Sequence, residues 1–511
     1  MNILNDYEQR SLSDRIGKMI RDMWHEFRAP LLTSFIIAVA AYMFIFTNKI
    51  PNWDDMQFLF GKGYTLTSGR WGLDLLSFIL PDYSMPWLWG TLSVVLISIA
   101  SCLIMRIFQI QNKLLQCALA GVVIAFPSEI GTMLYMFTSS SYAIALLCSV
   151  LGVYLFKKRR KRYQLISLFL TVFSCSIYQA YIAITASFFV LLLIQDILHN
   201  ERPVGDIVKT GCSHLLLLAV SLLVYYGITL LLLHLSGNTL NAWAERATTD
   251  SDGILYRALR AWKLFLATIL LRTYGLATTT PSMIVHTICA VCTVLVGFYM
   301  VFRQKRPDAL ILFLLLVGVL LPLSINALVL LLGENGVHAL TLYSFFSVYI
   351  LAILVAQQLP LGKLKSLTHD IVVVSLIIIT ASNIYTANKS YLKQYMVYEN
   401  SFSFYESIIT QVQSTEGFTE SSKLAIMGAV DHDSSYLAQF GTGTIYGLCG
   451  FKGEAISDEF ITYYLGFDVS FASSEEKESL SQDPRYLEME SYPFYGYIQK
   501  IDEYIVVKLG D

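Results

Sequence analysis

Charge is scarce in this sequence. Lys, Arg, Asp and Glu make up 14% of its 511 residues and hydrophobic types 55%, whereas a soluble domain carries about 25% charged residues. That deficit excludes an ordinary water-soluble protein and places the chain in a bilayer. A net charge of −2 gives no bulk attraction to nucleic acid. The eight cysteines form no disulfide framework: seven lie in or near apolar runs, and Cys449 stands alone in the polar C-terminal part. Cys289 and Cys292 make a CxxC, but inside the apolar run 284–302, where thiolates without a partner are costly, which argues against metal or redox use. P-loop, Rossmann glycine and HExxH patterns are all missing. So are internal repeats and low-complexity tracts. The first 30 residues are polar and basic and run straight into an apolar stretch from Leu31, which predicts a retained first span, not a cleaved signal peptide.

What the chain has is long apolar runs. A span needs roughly 20 apolar residues, with about 17 as a lower limit. Eleven runs qualify or nearly so: 31–46, 85–105, 114–127, 140–156, 163–178, 180–197, 213–235, 284–302, 309–332, 339–358 and 369–387. The predicted fold is therefore an all-α polytopic membrane protein of about eleven transmembrane helices. Run 114–127 and the pair flanking Gln179 are short, and short helices at membrane depth are tolerated where they line a protein-enclosed cavity. Lys and Arg set the orientation. The N-terminus (Arg10, Arg15, Lys18, Arg21, Arg28), the loop Lys157-Lys158-Arg159-Arg160-Lys161-Arg162 and the loop with Arg303, Lys305 and Arg306 fall on one side, which is predicted to be cytoplasmic. Loops 128–139 and 333–338 hold neither residue and fall outside, as does the loop with Asp54 and Asp55. The predicted organisation is a cytoplasmic segment 1–30, a membrane domain 31–387 with outer loops 47–84 and 236–283, and an outer domain 388–511.

The second outer loop opens on the turn Ser236-Gly237-Asn238 and becomes helical over 254–273. There Arg257, Arg260 and Lys263 share one face, the pattern of a helix lying in the membrane interface. The C-terminal part holds most of the acidic residues. A helix over 391–412, a strand at 423–428 and hairpin-like alternation over 498–509 predict a small extracytoplasmic α+β domain.

The candidate chemistry clusters outside the first span. Asp54 and Asp55 are adjacent carboxylates flanked by Trp53, Phe58 and Phe60. One can take a proton from a hydroxyl while the other orients the acceptor or binds a cation. The alternative is two solvated aspartates or a helix N-cap. Arg70, in Ser68-Gly69-Arg70-Trp71-Gly72, can hold a phosphate through paired hydrogen bonds, or anchor the interface together with Trp71. Arg257, Arg260 and Lys263 can stabilise a departing phosphate, or snorkel to headgroups. Arg272 ends that helix and is harder to explain by snorkelling. Glu129, after Pro127-Ser128, and Tyr178-Gln179 sit at outer helix breaks, where polar groups meet sugar hydroxyls or cap half-helices. Glu334 and His338 share an outer loop, and a lone outer histidine is usually just solvated. Tyr463, Tyr464, Tyr495 and Tyr497 of the tail can stack on sugar rings or fill a core. With no cytoplasmic domain large enough for a nucleotide sugar, a transferase of this design needs a donor already in the membrane.

The loop Asn52-Trp53-Asp54-Asp55 with Gly69-Arg70-Trp71, the turn Ser176-Ile177-Tyr178-Gln179-Ala180-Tyr181 and the outer C-terminal domain together resemble the bacterial GtrII-type glucosyltransferases, membrane enzymes of GT-C architecture. The resemblance implies a hexose, commonly glucose, carried on polyprenyl phosphate and moved to a cell-surface polysaccharide at the outer face of the bacterial cytoplasmic membrane. It implies a base at Asp54 or Asp55 and phosphate binding by Arg70 and Arg272, with Arg257 and Arg260 as further candidates. Trp53, Trp71, Glu129, Tyr178 and Gln179 are then the candidates for sugar or acceptor. Nothing requires a cofactor, although a divalent metal is compatible. A phosphate leaving group departs without a general acid, so one base and nearby cations suffice for an inverting displacement. Two rivals share the many spans: a surface-polysaccharide polymerase, and a transporter or flippase of lipid-linked sugars. The second should show related halves and mid-membrane ionisable groups.

Overall fold

The computed structural model describes residues 12–59, 65–80, 83–241, 253–271, 279–332, 337–360, 362–430, 437–440 and 445–510. Helix α1 (Leu12–Thr47) leads into a loop holding the short α2 (Trp53–Gln57) and α3 (Trp71–Ser77). Then come α4 (Pro86–Ile107), α5 (Lys113–Ile124), the short α6 (Pro127–Thr132), α7 (Met136–Phe156), α8 (Lys161–Ile177), α9 (Ile182–His199) and α10 (Val204–Ser236). After α11 (Ile254–Leu271) and α12 (Thr280–Arg303), α13 (Pro307–Leu315) continues through a π-helical turn into α14 (Leu321–Ile325) and α15 (Ala327–Leu332). A 3₁₀ stretch, Ala339–Phe346, opens α16 (Ser347–Gln358), and α17 (Lys363–Ser414) follows. Ten helical stretches among the described residues are long and apolar enough to cross a membrane. The 17-residue α8, packed along α7, supplies the remaining predicted run. The chain is a polytopic, mainly helical membrane protein.

Two breaks show how the sequence shapes the interior. Proline lacks the N–H that would bond the carbonyl four residues back. Pro127 thus ends α5, and the freed Val123 carbonyl accepts the Tyr343 hydroxyl at 2.7 Å. The neighbouring Ile124 carbonyl accepts from Tyr42. Pro322 likewise frees the Gly318 carbonyl, which accepts from Trp262 Nε1 at 2.8 Å. Small residues bring α7 and α8 close: Ser149 and Ser174 share a hydrogen bond of 2.8 Å, and Gly152 lies against Ser167 and Thr171.

Contacts sort the loops onto two faces. On one, Arg106 pairs with Glu26 (Nε to O 3.0 Å), Lys157 reaches the Ile107 carbonyl, and Arg306 bonds Asn200 at 2.7 Å. The basic segments thus share a face, the grouping expected from their distribution. On the other, the α2 loop meets the C-terminal region. Helix α17 runs unbroken from the bilayer part into that region, where β1 (Lys423–Met427), β2 (Ser470–Phe471), β3 (Ile498–Ile501) and β4 (Tyr504–Lys508) form a sheet of order β2-β1-β4-β3. β1 pairs in parallel with β2 and β4, and β3–β4 is the expected hairpin. Helices α18 (Ser457–Tyr463), α19 (Ser474–Ser481) and α20 (Pro484–Leu487) complete it. All eight cysteines are free.

Candidate active site

The two aspartates sit in the first turn of α2, and that placement separates them. Asn52 caps the helix, its side chain accepting the Asp55 N–H at 2.9 Å. Successive helical residues point in different directions, so one carboxylate turns inward and the other outward. Asp55 is buried at 1% exposure. It ion-pairs with Lys49 and accepts the Phe137 N–H at 3.3 Å, while Lys49 also donates to Ser84 at 2.8 Å. Asp54 faces the other way, and its carboxylate makes no hydrogen bond or ion pair among the described residues. Its side chain lines an open cavity of about 410 Å³. The aspartates therefore form no shared cation site, because a lysine occupies the position next to Asp55.

Arg70 enters the same cavity from a tightly pinned loop. Gly69 has φ +72°, and an added Cβ would lie 2.7 Å from the Tyr225 hydroxyl and 3.1 Å from Gln179 Nε2. Those side chains clamp the loop. Gln179 donates to the Ser68 carbonyl at 2.8 Å and Tyr225 to the Gly69 carbonyl at 2.9 Å. Asn241 adds a bond to Ser68 Oγ at 2.8 Å and Trp71 one to Thr229 at 3.2 Å. The guanidinium lies 4.9 Å above the Tyr178 ring, which stacks on Tyr142 at 4.5 Å. Its Nη1 donates to the Tyr142 hydroxyl at 3.3 Å. No carboxylate pairs with Arg70 among the described residues. It is a cation oriented by aromatic faces and left without a counter-ion.

The remaining walls come from Tyr135, Thr138, Leu340, His338 and, from the C-terminal region, Tyr446. His338 and Tyr446 stack at 4.6 Å with 10° between their planes. Burial, with Arg70 nearby, pushes the His338 imidazole down to about 4, so it is neutral at physiological pH. Although accessible from the cavity, the Asp54 carboxyl has its pKa raised from the ordinary aspartate value. Recession from bulk water is the main cause, opposed by Arg70 and reinforced by Asp55. The cavity thus brings together a carboxylate whose pKa is raised and an arginine with no ion-paired carboxylate among the described residues. Residues 43–355, more than half the chain and nearly all of this machinery, match the family described as glucosyl transferase GtrII. The chain belongs to this family. No curated protein and no solved structure matches it.

Membership makes the protein a membrane glycosyltransferase, and the other nominated residues can be placed against the GtrII cavity. Tyr178 lines it, beneath Arg70. Gln179 and Trp71 stand behind the wall as loop clamps, and Trp53 donates to the Gly450 carbonyl at 2.6 Å. Glu129 is buried at 1% exposure in α6, outside the cavity lining, and its Oε1 lacks a hydrogen-bond partner among the described residues. Arg257 donates to the Leu331 carbonyl at 3.2 Å and Arg260 lies over Tyr256; neither lines the cavity. Arg272, Phe60 and Glu334 lie outside the described residues. Of the tail tyrosines, Tyr464 packs on Phe460 and Tyr497 is buried, while Tyr463 and Tyr495 are exposed; none lines the cavity. Tyr142, Tyr135, Asn241 and Tyr446 had no signal in the sequence.

Proposed function

We propose that the protein transfers a hexose, glucose being the family's sugar, from a polyprenyl-phosphate donor to a cell-surface glycan on the outer face of the bacterial cytoplasmic membrane. The observation that carries this reading is that Asp54 and Arg70 line one cavity, with no ion pair formed by either among the described residues. Asp54 is the base: it takes the acceptor hydroxyl's proton as that oxygen attacks the anomeric carbon. The bond from that carbon to the phosphate oxygen breaks in the same displacement, which inverts the centre. The phosphate leaves as an anion and needs a cation, not a proton; Arg70 supplies it. Asp55 positions α2 through Lys49. The walls of Tyr135, Tyr142, Tyr178 and Tyr446 offer aromatic faces and hydroxyls to sugar rings. The clustering of Lys and Arg on the opposite face supports the outward placement of the cavity.

The test is a composition and linkage analysis of surface glycans from cells with the gene intact, deleted, or carrying Asp54→Asn. Loss of one side-branch hexose in both the deletion and the variant supports the proposal and identifies the sugar. Unchanged glycan in all three overturns it. A shortened main chain in place of a lost branch would indicate a polymerase.

A further inference from the structure

A second and larger cavity, of about 640 Å³, opens on the face opposite the candidate active site, among α7, α8, α9 and α10. Four cations line it, Lys157, Arg159, Arg202 and Lys209, against two carboxylates, Asp196 and Asp206. The carboxylates are taken: Arg202 pairs with Asp196, and Lys209 lies 3.5 Å from Asp206. Among the described residues, Lys157 and Arg159 form no ion pair and hydrogen-bond neutral groups, the Ile107 carbonyl and the Thr210 hydroxyl (3.1 Å). The lining also includes His214, 7% exposed and stacked on Phe189 at 4.2 Å. Its Nδ1 has no hydrogen-bond partner among the described residues. The cavity thus carries two surplus positive charges and an unsatisfied buried polar group.

It does not end at the polar rim. Phe156, Gln164 and Ser213 belong both to this cavity and to an apolar groove of about 310 Å³ between α8 and α10, walled by Leu165, Leu168, Leu216, Leu217 and Val220. Leu165 and Leu216 are 68% and 65% exposed, so the groove opens sideways to whatever surrounds the helices. A cationic head continuous with an apolar, laterally open trough matches an amphiphile with a phosphate headgroup. A soluble anion would leave the trough empty, and a neutral lipid would leave two cations without a counter-ion.

We propose that this cleft binds an anionic phospholipid of the leaflet opposite the active site. The phosphate lies against Lys157 and Arg159, and one acyl chain lies along α8 and α10.

The test is native mass spectrometry of the detergent-purified full-length protein. It is titrated with phosphatidylglycerol, with phosphatidylcholine of the same acyl chains, with polyprenyl phosphate, and with excess inorganic phosphate. The expected result is retention of phosphatidylglycerol over phosphatidylcholine, undisturbed by inorganic phosphate. In Lys157→Ala/Arg159→Ala, binding should weaken by about thirtyfold, from two surface cations each contributing one near-surface charge interaction. Should that double variant fail to fold, Arg159→Gln tests the same charge at an exposed position, with an expected loss of about fivefold. Equal retention of the two phospholipids, unchanged binding in the variants, displacement by inorganic phosphate, or preference for polyprenyl phosphate would each overturn the proposal.

Discussion

Replacing Asp54 or Asp55 singly with asparagine distinguishes a base from a buried ion-pair partner, although the two residues are neighbours. The Asp54 carboxylate makes no hydrogen bond or ion pair among the described residues, so Asp54→Asn leaves packing intact and should change stability by no more than about 0.5 kcal/mol. Its effect falls on the chemical step. A positioned general base contributes about 10²–10⁴ in rate, which is about 3–5 kcal/mol of barrier. Asp55→Asn has the opposite profile. Stripping one partner from a fully buried ion pair costs about 3–5 kcal/mol. Lys49, however, is 33% exposed and can turn to water, so about 1–3 kcal/mol is expected here. The folded fraction should keep kcat within about tenfold. The assay is transfer of labelled hexose in proteoliposomes, normalised to inserted protein, alongside thermal unfolding of each variant. An Asp54→Asn variant that keeps more than a tenth of wild-type kcat would refute the assignment. So would an Asp55→Asn variant that is inactive yet as stable as the wild type.

Five further outcomes follow from the same geometry. If Asp54 is the base it works deprotonated, so kcat/KM should fall as pH drops, on an acidic limb shifted up from the ordinary aspartate value. Arg70 favours the charged form of Asp54, so in Arg70→Gln that limb should move to higher pH; a shift to lower pH in the pH–rate profile would contradict this electrostatic coupling. Arg70→Lys keeps the charge but loses the planar stack on Tyr178 and the forked donors, which should lower kcat/KM for the donor by about 10–100-fold in steady-state kinetics. Gly69→Ala forces a Cβ to 2.7 Å from the Tyr225 hydroxyl at φ +72°, a strain of about 1–3 kcal/mol. It should cut transfer without preventing membrane insertion, as read by activity per inserted molecule, and Gly69→Ala/Tyr225→Phe should recover part of the loss. Tyr446→Ala removes the wall facing His338 and should raise KM for the acceptor while leaving that for the donor unchanged.

The spans, the hairpin in the tail and the loop holding Asp54 and Asp55 were legible because their signals are local: long apolar runs, alternation over 498–509, and two carboxylates beside a tryptophan. Which aspartate faces the cavity was not legible, since it depends on the phase of a five-residue helix whose N-cap is Asn52. Gln179 was readable as a polar residue at a helix break, but its use as a clamp on Ser68 rests on a contact 111 positions apart in sequence. The chain has 31 tyrosines, and nothing in the pattern around Tyr142 or Tyr446 distinguishes a cavity wall from a core ring. The face formed by Arg257 and Arg260 was visible as a periodicity. The contact of Arg260 with Tyr256, four residues earlier on the same helix, is local, whereas the bond from Arg257 to the Leu331 carbonyl depends on where α15 packs.

Helix α2 has five residues, far too few to hold its shape alone, because helix nucleation is unfavourable and short helices depend on tertiary packing. That packing comes from the C-terminal region. Met56 is fully buried in the cluster formed by Val397, Phe404, Tyr405 and Phe460, and Trp53 is tied to Gly450. Gln394 of α17 donates to the Pro51 carbonyl at 3.2 Å and accepts the Cys449 N–H at 3.1 Å, so one side chain joins the start of the loop to the tail. Asp54 therefore stands between two residues, Trp53 and Met56, whose positions the tail sets. Tyr446 closes the far wall of the same cavity. An accessory glycan-binding domain would attach beside a finished active site. Here the site's candidate base is held by the core of the C-terminal region itself, and the 52-residue α17 makes that core continuous with the helical bundle against which the Arg70 loop and Tyr178 are set. On this account the tail belongs to the catalytic frame, and disturbing its core should show first as a misplaced Asp54, not as a lost acceptor.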